Sequence, residues 1–229
     1  MFEKMSFATL NEREEFEKYK KLKGVYLYKQ VYDILLDANG GDEVTYYETS
    51  SVIRYDKNLR DMLYIYLATV EEYLRALLCD KYDVSEECKP FKRHQVADLK
   101  KELFEKCESE TSNLYFKLEL DFSVLMDVCF EKGLVIANEQ TRHQINDLRN
   151  RTMHHSLLLF GKAKKVSDLE SHFASLERKL NALVQILPDE YKSGFATSIR
   201  KLNGVSDKPY LTRFYLEVDN GSKQICVKK

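Results

Sequence analysis

Proline and glycine are scarce in this sequence, with 3 and 8 residues among 229. This scarcity argues against a fold built from many tight turns and favours long helices joined by few connections. No apolar run reaches the roughly 18 residues that a membrane-spanning helix needs. The amino terminus is charged from its third residue and lacks the apolar core of a signal peptide. We therefore expect a cytoplasmic protein with no membrane partner.

An excess of charge of one sign is also absent. The 36 lysines and arginines nearly cancel the 37 aspartates and glutamates. No global basic field is therefore available to attract nucleic acid, and any site for a polyanion must be a local patch. Composition by itself favours no function.

Cysteine usage excludes a disulfide framework and a zinc ribbon. The five cysteines are odd in number, are scattered, and form no C-x-x-C pair, which is typical of a reducing cytoplasm. We expect those with apolar neighbours to be small buried side chains without a chemical role. The five are Cys79, Cys88, Cys107, Cys129 and Cys226.

Helical periodicity dominates the rest of the chain and predicts an all-α bundle. Apolar residues recur at three- and four-residue steps, most clearly in the second segment, as expected for core-facing helix stripes. We expect one helical domain over 1–204. The predicted helices are roughly 10–36, 50–82, 92–108, 111–131, 138–159, 167–187 and 189–202.

The carboxyl-terminal residues 205–229 differ from the helical part. Two β-prone runs, PYLTRFYLEV and KQICVKK, flank the sequence Asp-Asn-Gly-Ser. An Asn-Gly pair between β-prone runs is a strong indication of a hairpin. The sequence thus predicts a small C-terminal β-hairpin, with an irregular or disordered tail as the alternative.

The stretch NDLRNRTMHHSLLLF, which begins at residue 146, has an unusual composition. If residues 141–158 are helical at about 100° per residue, arginine, asparagine and histidine share one face about 140° wide. The opposite side holds Ile145, Leu148 and Thr152, and His155 points toward it. The polar face carries Arg142, His143, Asn146, Arg149, Asn150 and His154.

Three interpretations of this face compete. It could be an ordinary solvated stripe, although it lacks the lysine and glutamate that usually fill one. A metal site is disfavoured, because His143 and His154 lie about 16 Å apart along the axis. His154 and His155 diverge by about 100°, so neither pair can chelate one ion at about 2 Å. The third interpretation is phosphate chemistry.

Phosphate chemistry suits these residue types. Arginine can hold a phosphate bidentately and offset charge on a phosphorane, histidine exchanges a proton near neutral pH, and asparagine can orient the histidine. RNA supplies its own nucleophile, the 2′-hydroxyl, so no metal or other cofactor is needed. A homodimer would bring two copies of the set to one cleft.

The residues Arg149, Asn150 and His154, in the form LRNRTMHH, match the R-N-x-x-x-H motif and resemble the HEPN superfamily of ribonucleases and RNA-binding domains. The upstream stretch YDKNLRDMLYIYLATVEEYLRALL resembles the long helix of the Abi-like abortive-infection proteins of that superfamily. In that group a "YD...LR" opening leads to a glutamate and an arginine four residues apart, here Glu71 and Arg75.

The resemblance covers about 50–190 and implies a HEPN-type helical bundle that dimerises. It also implies a metal-independent endoribonuclease of bacterial antiphage defence, which leaves 2′,3′-cyclic phosphate and 5′-hydroxyl ends. By position, Arg149 and His154 are the implied catalytic pair and Asn150 their polar companion. Alternatives are a non-cleaving dimer that binds a noncoding RNA or a protein, and a toxin restrained by an antitoxin.

The remaining assignments are predictions from the residues. Glu71 and Arg75 either brace the motif from beneath or form an ordinary surface ion pair, and His155 is expected to be structural because it points toward the core. Four further residues are expected to line the path of the RNA. They are Arg142, His143, Asn146 and Arg151.

Overall fold

The computed structural model describes residues 1–81, 121–131, 133–205, 215–218 and 224–228. Helices dominate these ranges, which confirms the all-α expectation in its coarse form. The helices are α1 Leu10–Lys23, α2 Val25–Ala38, α3 Tyr46–Lys81, α4 Phe122–Glu131, α5 Glu139–Met153, α6 Leu169–Ile186 and α7 Asp189–Val205. A short 3₁₀ helix, Val166–Asp168, precedes α6. The strands are β1 Met5–Ser6, β2 Val44–Thr45, β3 Tyr215–Val218 and β4 Ile225–Lys228.

The long helix α3 is the central element, and it packs against α1, α2, α4, α5 and α7. Its predicted apolar stripe is buried, with Leu59, Leu63 and Leu74 inaccessible to solvent. Burial of one such stripe is the main source of stability for an amphipathic helix. None of the helices in the described ranges combines the length and the apolarity required to cross a lipid bilayer.

The first predicted helix is two helices, because Gly24 interrupts it. This glycine has φ 93°, a value that side-chain-bearing residues rarely adopt, and its N–H donates to Lys20 O at 3.1 Å. The expectation of one helix over 10–36 was therefore wrong at this point. The predicted helix 92–108 lies outside the described residues, and so does the part of 111–131 before residue 121.

Helix α5, which carries the motif, ends at Met153, more than one turn before its predicted end. His155 has φ 54° and reverses the chain. Its N–H donates to Thr152 O at 3.2 Å, and the N–H of Ser156 donates to Arg151 O at 3.0 Å. These two bonds form a Schellman motif, in which a left-handed residue terminates a helix. Sequence periodicity missed this end because no glycine marks it.

Two pairs of strands complete the fold. The two-residue strands β1 and β2 pair in parallel and were not predicted from the sequence. Strands β3 and β4 pair antiparallel, which confirms the two predicted C-terminal strands; their Asn-Gly turn lies outside the described residues. Leu216 and Ile225 join the helical core, and the N–H of Leu216 donates to the Tyr55 hydroxyl at 2.9 Å.

Candidate active site

The exposed surface of α5 is narrower than the polar face that the sequence predicts. His143, Asn150 and His154 are exposed, whereas Asn146 is half-buried. His154 follows the last residue of α5, and its backbone N–H donates to Asn150 O at 2.9 Å. The His154 side chain makes no hydrogen bond within the described ranges. The imidazole is therefore accessible at the end of the helix.

Arg149 lies at the edge of this surface, beside α4. Its guanidinium carbon is 5.7 Å from the centre of the Phe122 ring, a cation–π contact. Its Nε is enclosed and has no hydrogen-bond partner in the described part of the chain. None of the described carboxylates forms an ion pair with Arg149. Its charge is thus not compensated by those groups, and an anion could supply the missing partner.

Arg142 is not on the exposed surface, contrary to expectation. It is 3% exposed, and its guanidinium donates to Asp127 at 2.7 Å and to Glu139 at 3.2 Å. It also lies over the Phe130 ring at 5.8 Å. Because α4 covers this edge of α5, the placement of Arg142 on an open RNA path is corrected to a buried contact between the helices.

Arg151 is paired as well, through an acidic residue that the predicted face did not include. Asp147 is exposed on α5 and accepts from Arg151 Nε at 3.1 Å, while Lys179 Nζ of α6 lies 2.6 Å from it. Burial raises the pKa of Asp147, but Lys179 and Arg151 outweigh it and lower that pKa. The two cations offset the repulsion that this carboxylate would exert on a phosphate.

The two other histidines of the motif region differ in surroundings. His143 is exposed, and its Nε2 lies 3.7 Å from Glu139. His155 is exposed too, so the expectation that it faces the core was wrong. The reason is the early end of α5, because the left-handed conformation of His155 directs the chain away from the helix.

Arg149 and His154 lie at opposite edges of the predicted polar face. Ideal helix geometry separates them by about 140° around the axis and by about 7.5 Å along it. Arg149 faces α4, whereas His154 belongs to the exposed stripe with Asn150. Within one subunit Arg149 therefore lies at the edge of the exposed surface beside α4, whereas His154 lies within that surface.

The segment that follows His154 is anchored by Asp56 of α3. This residue is 0% exposed, and its Oδ1 accepts the N–H groups of Leu158 and Leu159 at 2.7 and 2.9 Å. Its Oδ2 accepts from Arg60 Nε at 2.9 Å. Burial raises the pKa of Asp56, although these three donors oppose the rise. The carboxylate therefore fixes the chain only a few residues beyond the motif.

The residues of the "YD...LR" opening had no role predicted from the sequence. The structure shows that Tyr55 accepts from the backbone of β3, and that Asp56 and Arg60 hold the segment after the motif. The sequence contains an indication of the role of Asp56. This residue lies three positions after Ile53 and three before Leu59, on the apolar stripe of α3 that is buried in the structure. An acidic residue is rarely buried there without partners.

His172 of α6 holds the same segment from the other side. Its Nε2 donates to Leu158 O at 2.7 Å, and burial lowers its pKa, which favours the neutral imidazole. The ring also lies against Gly161, where a Cβ atom would come within 2.1 Å of it. Gln30 Nε2 donates to Gly161 O at 2.7 Å. The post-motif segment is thus held by α2, α3 and α6.

Substitution of Gly161 by alanine tests this anchoring. At φ 52°, alanine costs about 1–2 kcal/mol from backbone strain, and its clash with the His172 ring adds about 1–3 kcal/mol. Gly133 is the matched control, since it has φ 64° but no atom of the described residues within 4 Å of its Cβ position. Urea unfolding should show a larger loss for Gly161→Ala than for Gly133→Ala. Equal losses would contradict the packing of His172 on Gly161.

Glu71 and Arg75 form an ion pair on α3. Arg75 Nη2 lies 2.6 Å from Glu71 Oε1, and both side chains are partly exposed, at 19% for the arginine and 29% for the glutamate. Such a pair stabilises a helix by about 0.2–0.5 kcal/mol. The idea that it braces the motif stays a prediction.

Within the described ranges, no three histidine, cysteine, aspartate or glutamate side chains cluster in a way that could hold a metal ion.

Comparison with known proteins gives no match to a family model, a curated protein or a solved structure. The resemblance to the HEPN superfamily therefore rests on the R-N-x-x-x-H motif and on the upstream stretch YDKNLRDMLYIYLATVEEYLRALL.

Proposed function

We propose that this protein is a metal-independent endoribonuclease of the HEPN type that acts in bacterial antiphage abortive infection. The single observation that carries the proposal is the combination of Arg149 on α5 and His154 directly after its last residue. Arg149 has no carboxylate partner in the described part of the chain, and His154 presents an accessible imidazole one turn further along. The antiphage role rests on the Abi-like resemblance.

The proposed reaction is a transesterification within RNA. The 2′-oxygen attacks the adjacent phosphorus, the bond from phosphorus to the 5′-oxygen breaks, and a 2′,3′-cyclic phosphate and a 5′-hydroxyl result. His154 takes the proton of the 2′-hydroxyl or gives a proton to the leaving 5′-oxygen. Arg149 offsets the negative charge of the phosphorane. Asn150, which is exposed and about 40° from His154 around the helix axis by ideal geometry, orients the imidazole or the ribose.

A homodimer is part of the proposal because one subunit supplies one such histidine. The reaction needs a base and an acid at the same time, and two-fold symmetry would bring a second His154 to the cleft. It would also bring a second Arg149, so that arginine and histidine need not lie on the same side of one α5. The proposed active site is thus composite, with RNA as its substrate partner.

Cleavage in the presence of EDTA tests the proposal. Purified protein is incubated with labelled total RNA, with transfer RNA, and with a transfer RNA in which 2′-deoxy nucleotides replace those at the observed cut sites. We expect cleavage with EDTA present and none at the 2′-deoxy positions, because the nucleophile is missing there. Dependence on a divalent ion, or cleavage at the 2′-deoxy positions, would refute the mechanism. RNA that binds but stays intact would favour the non-cleaving RNA-binding dimer.

A further inference from the structure

A polar groove of about 730 Å³ lies between the first half of α5, the second half of α6 and the start of α7, and it reaches the residue before β4. The half-buried Val184 contributes apolar surface to it. The other notable feature of the lining is its content of side-chain amides. These belong to Asn138, Gln140, Gln144, Asn181, Gln185 and Gln224.

Three of these amides hold the walls of the groove in place. Asn138 Oδ1 accepts the N–H of Thr141 at 2.8 Å, and Gln185 Oε1 lies 3.2 Å from the Thr141 hydroxyl. Asn181 binds both backbone groups of Ile225, at 3.0 and 3.1 Å. These bonds fix the walls that α5, α6 and β4 form. Asp189 and Lys192 of α7 also line the groove, where they form an ion pair at 2.7 Å.

Among the described residues, no side-chain hydrogen bond or ion pair involves Gln140, Gln144 or Arg178. Gln140 and Arg178 are exposed, and Gln144 is half-buried. An amide side chain both donates and accepts hydrogen bonds, which is how proteins contact the edges of nucleobases. A guanidinium plane can stack on an unpaired base or hold a phosphate. The two amides and the guanidinium thus match the base and the phosphate of a nucleotide.

The groove continues toward the proposed catalytic residues. An adjoining depression of about 640 Å³ shares Gln140 and Gln144 and extends along α5 to His143 and Asp147. Three residues of this helix and the residue after its end are exposed, and their spacing places them on one stripe. They are Gln140, His143, Asp147 and His154. From Gln144 to His154 the distance along the axis is about 15 Å, which a short single-stranded segment can span.

We propose that this groove binds an unpaired base of the RNA substrate a short distance from the cleavage point. Gln140 and Gln144 contact the edge of the base, the apolar surface of Val184 receives its face, and Arg178 stacks on it or binds its phosphate. Amide recognition would favour particular bases without requiring a basic surface, which suits a chain with net charge −1. This inference rests on the proposed function, since it assigns the sequence preference of that activity.

Binding of uncleavable RNA tests the inference independently of catalysis. Short fluorescein-labelled homopolymers of adenine, cytosine and uracil carry 2′-fluoro groups, so that the nucleophile is absent. Fluorescence anisotropy gives Kd for the wild type, for Gln140→Ala/Gln144→Ala, and for Asn11→Ala. Asn11 is an exposed amide on α1, a helix whose principal helix contacts are with α2 and α3, and so serves as the control outside the groove.

We expect the wild type to prefer one base, and the double variant to lose about tenfold in affinity for it, as the loss of a base-edge contact implies. Asn11→Ala should bind like the wild type. A wild type without base preference, or a double variant that keeps the preference, would overturn the inference. If the groove-dependent preference appears but RNA is never cleaved, the catalytic proposal fails and the base site stands. If RNA is cleaved but no base preference appears, the base site fails and the catalytic proposal stands.

Discussion

Replacement of His154 by alanine is expected to lower the rate of RNA cleavage by about 10²–10⁴-fold, the usual contribution of general acid–base catalysis. The Arg149→Ala variant should lose about 10²–10³-fold, because one group that stabilises the developing charge is removed. The rates are compared under single-turnover conditions with EDTA present. Undiminished cleavage by both variants would refute the mechanism.

The neighbouring His155 provides the matched control for His154. It is also exposed, but its φ of 54° terminates α5. His155→Asn removes an imidazole one position away while keeping a residue that tolerates the left-handed conformation. This variant should cleave at a rate near that of the wild type. The exposed His154 has no side-chain hydrogen bond within the described ranges, so His154→Ala should unfold at the same urea concentration as the wild type.

Asp56→Ala is expected to cause the largest loss of stability, about 3–5 kcal/mol, which is typical when one partner of a buried ion pair is removed. The substitution leaves the buried N–H groups of Leu158 and Leu159 without their acceptor, and leaves Arg60 without its carboxylate. For a chain of this size the melting temperature should fall by roughly 6–20 °C. Urea and thermal unfolding measure the two quantities.

Asp61→Ala is the control for Asp56→Ala on the same helix. Asp61 pairs with Lys57, and both side chains are more than half exposed, so its removal should cost less than about 0.5 kcal/mol. Asp56→Asn should lose an intermediate amount of stability, because it keeps an acceptor oxygen for the two N–H groups but loses the negative charge that pairs with Arg60. Similar stabilities for Asp56→Ala and Asp61→Ala would contradict the anchoring role of Asp56.

Local sequence patterns were sufficient for the main elements of the fold. The apolar stripe of α3 and the β-prone runs of the C-terminal strands each depend on neighbouring residues, and both elements were predicted correctly in type. The ends of the helices were harder to predict from the sequence than the helices themselves. Gly24 ends α1, although a helix can contain a single glycine and the helical pattern continues beyond it. The end of α5 depends on a histidine in the left-handed conformation, which the sequence pattern does not indicate.

The candidate site could be predicted only in part, because burial depends on helices distant in sequence. Arg142 and Arg149 share a predicted face, yet the described side chains of α4 supply a carboxylate, Asp127, to the first and an aromatic ring to the second. The role of Asp56 required knowledge that residues more than a hundred positions away pack against it. The motif identified Arg149 and His154, but not what holds the segment beyond them.

Identification of the RNA ends tests the central claim most directly. Transfer RNA is incubated with the wild-type protein in EDTA, and the fragments are analysed by mass spectrometry and by their acceptance of phosphate at the 5′ end. The proposed mechanism predicts 2′,3′-cyclic phosphates and 5′-hydroxyls, formed by the wild type and not by His154→Ala. Fragments with 3′-hydroxyl and 5′-phosphate ends would show attack by water instead of the 2′-hydroxyl and would contradict the account.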